Sequence, residues 1–196
     1  LGKIDRCYAA SPSVIAWHAG MVIDEHHKQG VLCTLKHFPG HGNALGDSHW
    51  GLVDVTETWQ PTELRPFSLL IEQGQADLVM TAHIFNRRLA PDYPATLSHK
   101  MLTGVLREQL HYDGVILSDD MYMQGIIDNY RIEPAIVLAI NAGCDILLLS
   151  CPICYKIFKE NYKLTGIYVV HHSVFFDELI HSQRLHIAKD ESLRLV

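Results

Sequence analysis

Four short apolar runs, each bounded by polar residues or glycine, constrain the fold of this chain more than any other feature. They cover residues 30–35, 76–82, 114–117 and 144–149. Continuous apolar runs of this length, bounded by turn-forming residues, are typical of strands that are buried on both faces. The sequence therefore predicts a sheet of buried parallel strands.

Segments with helical periodicity separate these runs. The first opens at Ser11-Pro12 and extends to about residue 29, and proline is well tolerated in the first turn of a helix. Further segments cover residues 61–74, 98–110 and 133–141, and Gly143 is placed to end the last one. This alternation of strand and helix predicts an α/β protein with right-handed crossovers.

Two architectures satisfy this alternation, a doubly wound sheet and a closed (β/α)8 TIM-type barrel, and periodicity does not choose between them. Four strand–helix units occupy most of the 196 residues. A complete eight-stranded barrel typically needs about 250 residues. If the fold is a barrel, this chain therefore contains only half of it or somewhat more. We expect one domain over residues 1–196, less regular after residue 150.

Composition limits the classes of partner that this chain is expected to bind. The net charge is −6 and the Lys and Arg residues are scattered, so we expect no nucleic-acid partner. We also expect no membrane partner, because no segment approaches the ~20 consecutive apolar residues that span a bilayer. The five cysteines are odd in number and lie mostly in apolar runs, which favours reduced thiols. A cytoplasmic location follows as the expectation.

Polar residues lie at the ends of three of the predicted strands. Lys36 and His37 follow the first, His83 follows the second, and Asp119 and Asp120 follow the third. Each has a structural explanation when taken alone: an aspartate can cap the next helix, and a lone histidine is more often structural than catalytic. In parallel α/β architectures, however, active sites are built at the carboxyl ends of the strands. The coincidence of all three ends favours one functional site.

The loop after His37 is rich in glycine and contains a second group of reactive side chains. Asp47 and His49 are two residues apart, so in an extended segment both side chains project to the same side. The carboxylate could then orient the imidazole and raise its basicity, as in a general acid–base catalyst.

A zinc site is the alternative interpretation of this loop, because His37 and His41 have the spacing of two ligands on one helical face. Pro39 and Gly40 lie between them and make a helix improbable, and the glutamate of the H-E-x-x-H motif is missing. We therefore expect neither a metal ion nor an organic cofactor.

These residues resemble a known family. Lys36 to Gly42 with Asp47-Ser48-His49 is similar to the K-H-F-P-G-H-G-x(4)-D-S-H signature of family 3 glycoside hydrolases of the β-N-acetylhexosaminidase type, with ten positions in agreement. The resemblance is dense over residues 6–150. Further similar segments are residues 80–83, 94–98, 114–121 and 142–148.

The resemblance implies the C-terminal half, or somewhat more, of a (β/α)8 barrel, with residues 151–196 loosely matching the last barrel helices. The N-terminal part of the barrel would be missing. Half a barrel exposes strand edges and apolar surface, so we expect possible association with that missing N-terminal segment.

The resemblance also implies roles for individual residues. Asp119 would be the nucleophile that forms a covalent glycosyl-enzyme, and the neighbouring Asp120 is the competing candidate. His49 would be the acid–base catalyst, held by Asp47.

Substrate binding is implied for a second set of residues. Lys36 and His37 match positions that bind sugar hydroxyls, and Arg6 matches a substrate-binding arginine. His83 and Asp120 complete this expected set.

The implied activity is retaining hydrolysis of terminal β-linked N-acetylglucosamine from cell-wall-derived muropeptides or chitin-type oligosaccharides. Three alternatives stay open. β-Glucosidases of the same family usually carry S-D-W where this chain has Ser118-Asp119-Asp120. A glycoside phosphorylase would use phosphate in place of water. A non-catalytic sugar-binding fragment would keep the site without turnover.

Overall fold

A five-stranded parallel sheet forms the centre of the computed structural model. The model describes residues 6–48, 50–150 and 168–170, the last three by their backbone only. The sheet has the order β1-β3-β5-β6-β7, and every neighbouring pair is parallel. Its strands are β1 (Thr34–Phe38), β3 (Leu78–Thr81), β5 (Val115–Leu117), β6 (Ile146–Leu148) and β7 (Tyr168–Val170). Two short strands, β2 (Val53–Asp54) and β4 (Ile84–Phe85), pair separately in parallel.

Helices connect the strands of the main sheet. They are α1 (Pro12–His27), α2 (Arg65–Glu72, after a 3-10 turn at Pro61–Leu64), a π-helix (Lys100–Gln109), α3 (Gln124–Ile127) and α4 (Ile132–Ala142); a further 3-10 turn covers Ala95–Leu97. Gly143 ends α4 in the left-handed conformation, with φ of 114°, as its position in the sequence predicts. The parallel sheet with intervening helices confirms the α/β prediction and suits part of a (β/α)8 barrel.

Two features of the sheet differ from the sequence-based prediction. The first strand begins and ends later than the predicted run 30–35, so Lys36 and His37 lie within β1 rather than after it. A fifth strand, β7, lies in the part after residue 150 that was expected to be less regular, and it pairs with β6.

β1 contains an irregularity at His37. Lys36 is opposite Met80 and Phe38 is opposite Thr81, so His37 is an extra residue relative to β3. A bulge of this kind re-aims side chains next to a site. Phe38 is fully buried, whereas Lys36 is exposed at the edge.

The core lies between the sheet and its helices. Val79, Ile116 and Leu147, one from each of three strands, are completely buried, as are Leu102 of the π-helix and Ala139 of α4. Full burial of one valine, leucine or isoleucine side chain stabilises the fold by roughly 2 kcal/mol. This packing holds the carboxyl ends of the strands in a fixed relation.

The outer face of α1 carries exposed apolar side chains. Trp17 is 62% exposed, and Val14, Met21 and Val22 are exposed as well. This agrees with the expectation of exposed apolar surface. Among the described residues, no helix has the length and apolar character needed to cross a bilayer. Residues 151–167 and 171–196 lie outside the described part of the chain, so the expected C-terminal helices stay a prediction.

Candidate active site

The side chains of His37 and Asp119 meet at the carboxyl edge of the sheet. The Nε2 atom of His37 lies 3.8 Å from Oδ2 of Asp119, and the two side chains are 12% and 17% exposed. β1 supplies the histidine and the turn after β5 supplies the aspartate. The predicted convergence of these two strand ends is therefore found in the structure.

The adjacent aspartates Asp119 and Asp120 have different surroundings. Asp120 accepts backbone N–H groups through Oδ1, from Tyr122 at 3.0 Å and from Ser150 at 3.1 Å. It therefore braces the turn after β5 against the end of β6. Asp119 accepts the N–H of Asp120 on Oδ1 at 2.9 Å, which leaves Oδ2 directed at His37. The geometry thus favours Asp119 as the reactive carboxylate.

Burial sets the protonation state of His37. The pKa of His37 is lowered to about 4, chiefly by burial; Asp119 acts in the opposite direction, and the positive charges of Lys36 and Arg6 add to the lowering. The imidazole is therefore neutral at neutral pH. Its Nδ1 atom is buried and has no hydrogen-bond partner among the described residues. Because Lys36 and Arg6 act on this pKa, their charges lie near the His37–Asp119 pair.

His41 connects the site to the glycine-rich loop. Its side chain is buried, its Nε2 hydrogen-bonds with Oγ of Ser48 at 3.3 Å, and its ring centre is 6.2 Å from that of His37. Burial lowers the pKa of His41, while the charges of Asp47 and Asp119 raise it. The spacing of His41 from His37 indicated only a possible metal ligand, and no local sequence signal predicted this bridging position.

The segment just after β1 is anchored from the neighbouring connection. The carboxylate of Glu63 accepts the N–H of Gly42 and the side-chain amide of Asn43, both at 3.1 Å. The indole N–H of Trp59 donates to the carbonyl of Pro39 at 3.1 Å. The sequence carried a weak signal for Glu63, which also completes a capping box at its own helix. These contacts hold the loop over the strand ends.

The predicted Asp47–His49 dyad is described only in part. Asp47 is exposed, and its carbonyl accepts the N–H of Trp50 at 3.0 Å in a tight turn. His49 lies outside the described residues. The pairing of the two side chains therefore stays a prediction.

His83 is completely buried, which does not support its predicted role as a substrate-binding residue. Its Nε2 donates to the carbonyl of Asp120 at 2.9 Å, since a carbonyl can only accept. Its Nδ1 hydrogen-bonds with the hydroxyl of Thr96 at 2.9 Å, and that hydroxyl also contacts Thr81 and the carbonyl of Ala82. In this geometry His83 holds the turn after β5, which contains Asp119 and Asp120.

Among the described residues, no group of three or more His, Cys, Asp or Glu side chains could hold a metal ion. The structure brings the carboxylate of Asp119 and the neutral imidazole of His37 together, and the positive charges of Lys36 and Arg6 act on His37. Such a set suits a neutral ligand rich in hydroxyl groups, at which positive charge develops beside the carboxylate.

Comparison with known proteins agrees with this chemistry. A sequence model of the Glycosyl hydrolase family 3 N terminal domain matches residues 2–167. The chain is 38% identical over 148 residues to the Beta-hexosaminidase of Idiomarina loihiensis, a match that covers 74% of this chain and 44% of that protein. The chain therefore spans less than half the length of this curated relative.

Solved structures show the same relationship. A family 3 beta-N-acetylglucosaminidase from Paenibacillus sp. matches with a TM-score of 0.69 and 36% identity, over 74% of this chain and 28% of that one. The beta-glucoside phosphorylase BglX bound to 2FGlc matches with a TM-score of 0.69 and 29% identity, over 80% of this chain and 31% of that one. The parallel sheet is thus part of a TIM-type barrel. The chain belongs to glycosyl hydrolase family 3 and matches its N-terminal domain.

Proposed function

We propose that this chain carries the catalytic residues for retaining hydrolysis of terminal β-linked N-acetylglucosamine. The observation that carries the proposal is the pairing of the Asp119 carboxylate with the neutral imidazole of His37 at 3.8 Å. The similarity to a Beta-hexosaminidase and to a beta-N-acetylglucosaminidase supports the choice of sugar. The natural source would be a cell-wall-derived muropeptide or a chitin-type oligosaccharide.

The reaction proceeds in two steps. Oδ2 of Asp119 bonds to the anomeric carbon while the glycosidic C–O bond breaks, and the departing oxygen takes a proton from His49. In the second step His49 removes a proton from water, the water oxygen bonds to the anomeric carbon, and the ester bond to Asp119 breaks. Two inversions at the same carbon leave its configuration unchanged. Asp47 would orient His49 and stabilise its protonated form.

Lys36, His37 and Arg6 would orient the sugar through hydrogen bonds. Cationic donors make the stronger, charge-assisted bonds, whereas neutral His37 can donate or accept. Fixing the ring in this way converts binding energy into rate, because the anomeric carbon is held near the carboxylate.

A phosphorylase is the second candidate, because a beta-glucoside phosphorylase is among the structural neighbours. In that reaction inorganic phosphate replaces water in the second step, and the product is a sugar 1-phosphate. Addition of phosphate during turnover separates the two: the sugar 1-phosphate accumulates only in phosphorolysis.

We also propose that an N-terminal segment completes the barrel, since the chain covers 44% of its curated relative and α1 exposes Trp17. A cytoplasmic location is supported by three free thiols among the described residues: Cys7, Cys33 and Cys144.

Release of 4-nitrophenol from its N-acetyl-β-glucosaminide tests the proposal. Asp119→Asn and His49→Ala variants and the matching β-glucoside serve as controls. Turnover of the acetamido substrate that is lost in Asp119→Asn supports the assignment. If a chain with cooperative thermal unfolding shows no turnover but binds N-acetylglucosamine, the sugar-binding alternative replaces the enzyme.

A further inference from the structure

Gly125 of α3 contacts the loop that contains the proposed acid–base residue. Its N–H donates to the carbonyl of Ser48 at 3.2 Å. A Cβ atom built on Gly125 would lie 3.2 Å from the carbonyl oxygens of both Ser48 and Gly51, and 3.5 Å from Cβ of His83. These two carbonyls belong to residues on either side of position 49. Gly125 therefore touches both flanks of that position.

The same short helix is tied to the nucleophile turn. The N–H of Met123 donates to the carbonyl of Asp120 at 3.0 Å, and the N–H of Met121 donates to that of Leu148, also at 3.0 Å. Asp120 is further fixed by His83 through its backbone carbonyl. Hydrogen bonds at Asp120, Met121 and Met123 therefore hold the backbone between Asp119 and Gly125.

We propose that Gly125 is a positioning residue, which sets the distance between the acid–base loop and the nucleophile. We call the contact of Gly125 with the carbonyls of Ser48 and Gly51 the loop seat. The inference rests on the proposed function, in which His49 protonates the leaving group. With no side chain at position 125, both carbonyls approach more closely than a Cβ atom ordinarily permits.

The requirement is one of distance. A methyl group at 3.2 Å from two backbone oxygens is tighter than an ordinary contact, so the loop must move by a few tenths of an ångström. Proton transfer in the transition state depends on such distances. Asp119 directly follows Ser118, whose N–H donates to the carbonyl of Ile146 and whose hydroxyl accepts the N–H of Leu148, so its position depends mainly on the sheet. A substitution at Gly125 should therefore weaken protonation of the leaving group and spare nucleophilic attack.

Leaving groups of different acidity separate these two effects. A 2,4-dinitrophenolate ion departs without a proton, whereas 4-methoxyphenol needs one. In Gly125→Ala we expect kcat/KM for the 4-methoxyphenyl N-acetyl-β-glucosaminide to fall about tenfold, and that for the 2,4-dinitrophenyl substrate to change by less than about twofold. kcat/KM is the right quantity because it covers substrate binding and the steps up to formation of the covalent intermediate, and it excludes the later hydrolysis of that intermediate.

Gly104→Ala is the matched control. Gly104 lies in the π-helix, and a Cβ atom there would meet nothing within 4 Å. We expect the ratio of the two kcat/KM values to equal that of the parent chain. An equal loss for both substrates in Gly125→Ala, or no loss for either, would overturn the proposal.

A second measurement tests the loop seat without turnover. Amide hydrogen exchange in peptides that cover residues 45–52 and 121–128 should become faster in Gly125→Ala but not in Gly104→Ala. Unchanged exchange in both peptides would refute the seat. If the parent chain cleaves neither substrate, the proposed function fails, and the exchange measurement still decides whether Gly125 holds the loop.

Discussion

His37 and Asp119 come from strands that are not sequence neighbours, and their Nε2 and Oδ2 atoms lie 3.8 Å apart. Burial keeps the imidazole neutral by lowering its pKa to about 4. A protonated imidazole would form an ion pair and offset the charge of the carboxylate. In the proposed reaction, neutral His37 would leave that charge available to the anomeric centre, where positive charge would develop.

Substitution should separate the roles of the two adjacent aspartates. Asp119→Asn removes the proposed nucleophile, so we expect kcat/KM to fall by about 10⁴-fold or more. Asp120→Asn keeps an oxygen that can accept the N–H groups of Tyr122 and Ser150, so we expect a loss of at most about tenfold. Steady-state kinetics on an aryl N-acetyl-β-glucosaminide measures both. The reverse ranking would assign the nucleophile to Asp120.

His37 should make stability depend on pH. Its pKa is lowered in the folded state, mainly by burial, from 6.5 to about 4. Above pH 6.5 the group is neutral in both states. As the pH falls from 6.5 towards 4, the unfolded chain takes up the proton first, so the folded state loses stability across this window. Urea unfolding at several pH values should show a smaller loss in His37→Gln. Parallel curves for both proteins would contradict this.

His83 offers a test of positioning against substrate binding. His83→Ala leaves the carbonyl of Asp120 and the hydroxyl of Thr96 without this partner, so we expect a loss of about 2–3 kcal/mol in the free energy of unfolding. In a positioning role, kcat falls while KM changes little. His83→Gln keeps a donor and should recover part of kcat. A rise in KM at constant kcat would instead indicate contact with the sugar.

Gly40 should tolerate no side chain. Its φ is +117°, and a Cβ atom would lie 2.5 Å from Cβ of Glu63. Gly30, with φ of +70° and no atom within 4 Å, is the matched control for backbone strain alone. We expect Gly30→Ala to cost about 1–2 kcal/mol and Gly40→Ala clearly more, because Glu63 must also move. Thermal unfolding of both variants measures the difference. Equal losses of stability in the two variants would mean that Glu63 and the loop move aside without a cost in free energy.

The sequence by itself determined the α/β class, the four main strands and the chemical types at the site. Hydrophobic periodicity is local, so strands near residues 78, 115 and 146 could be recognised from short windows. The reactive residues also lie in contiguous motifs. The fold class, the main strands and the types of residue at the site could therefore be predicted from local sequence, without knowledge of contacts between distant segments.

Only the tertiary structure decided which of the two adjacent aspartates faces the site. Asp119 and Asp120 are chemically identical, and what separates them is the direction of each carboxylate relative to His37 and Ser150. The burial of His83 and the contact of Gly125 with the acid–base loop were equally hidden. Each depends on segments that are far apart along the chain, and only packing brings them within hydrogen-bonding distance.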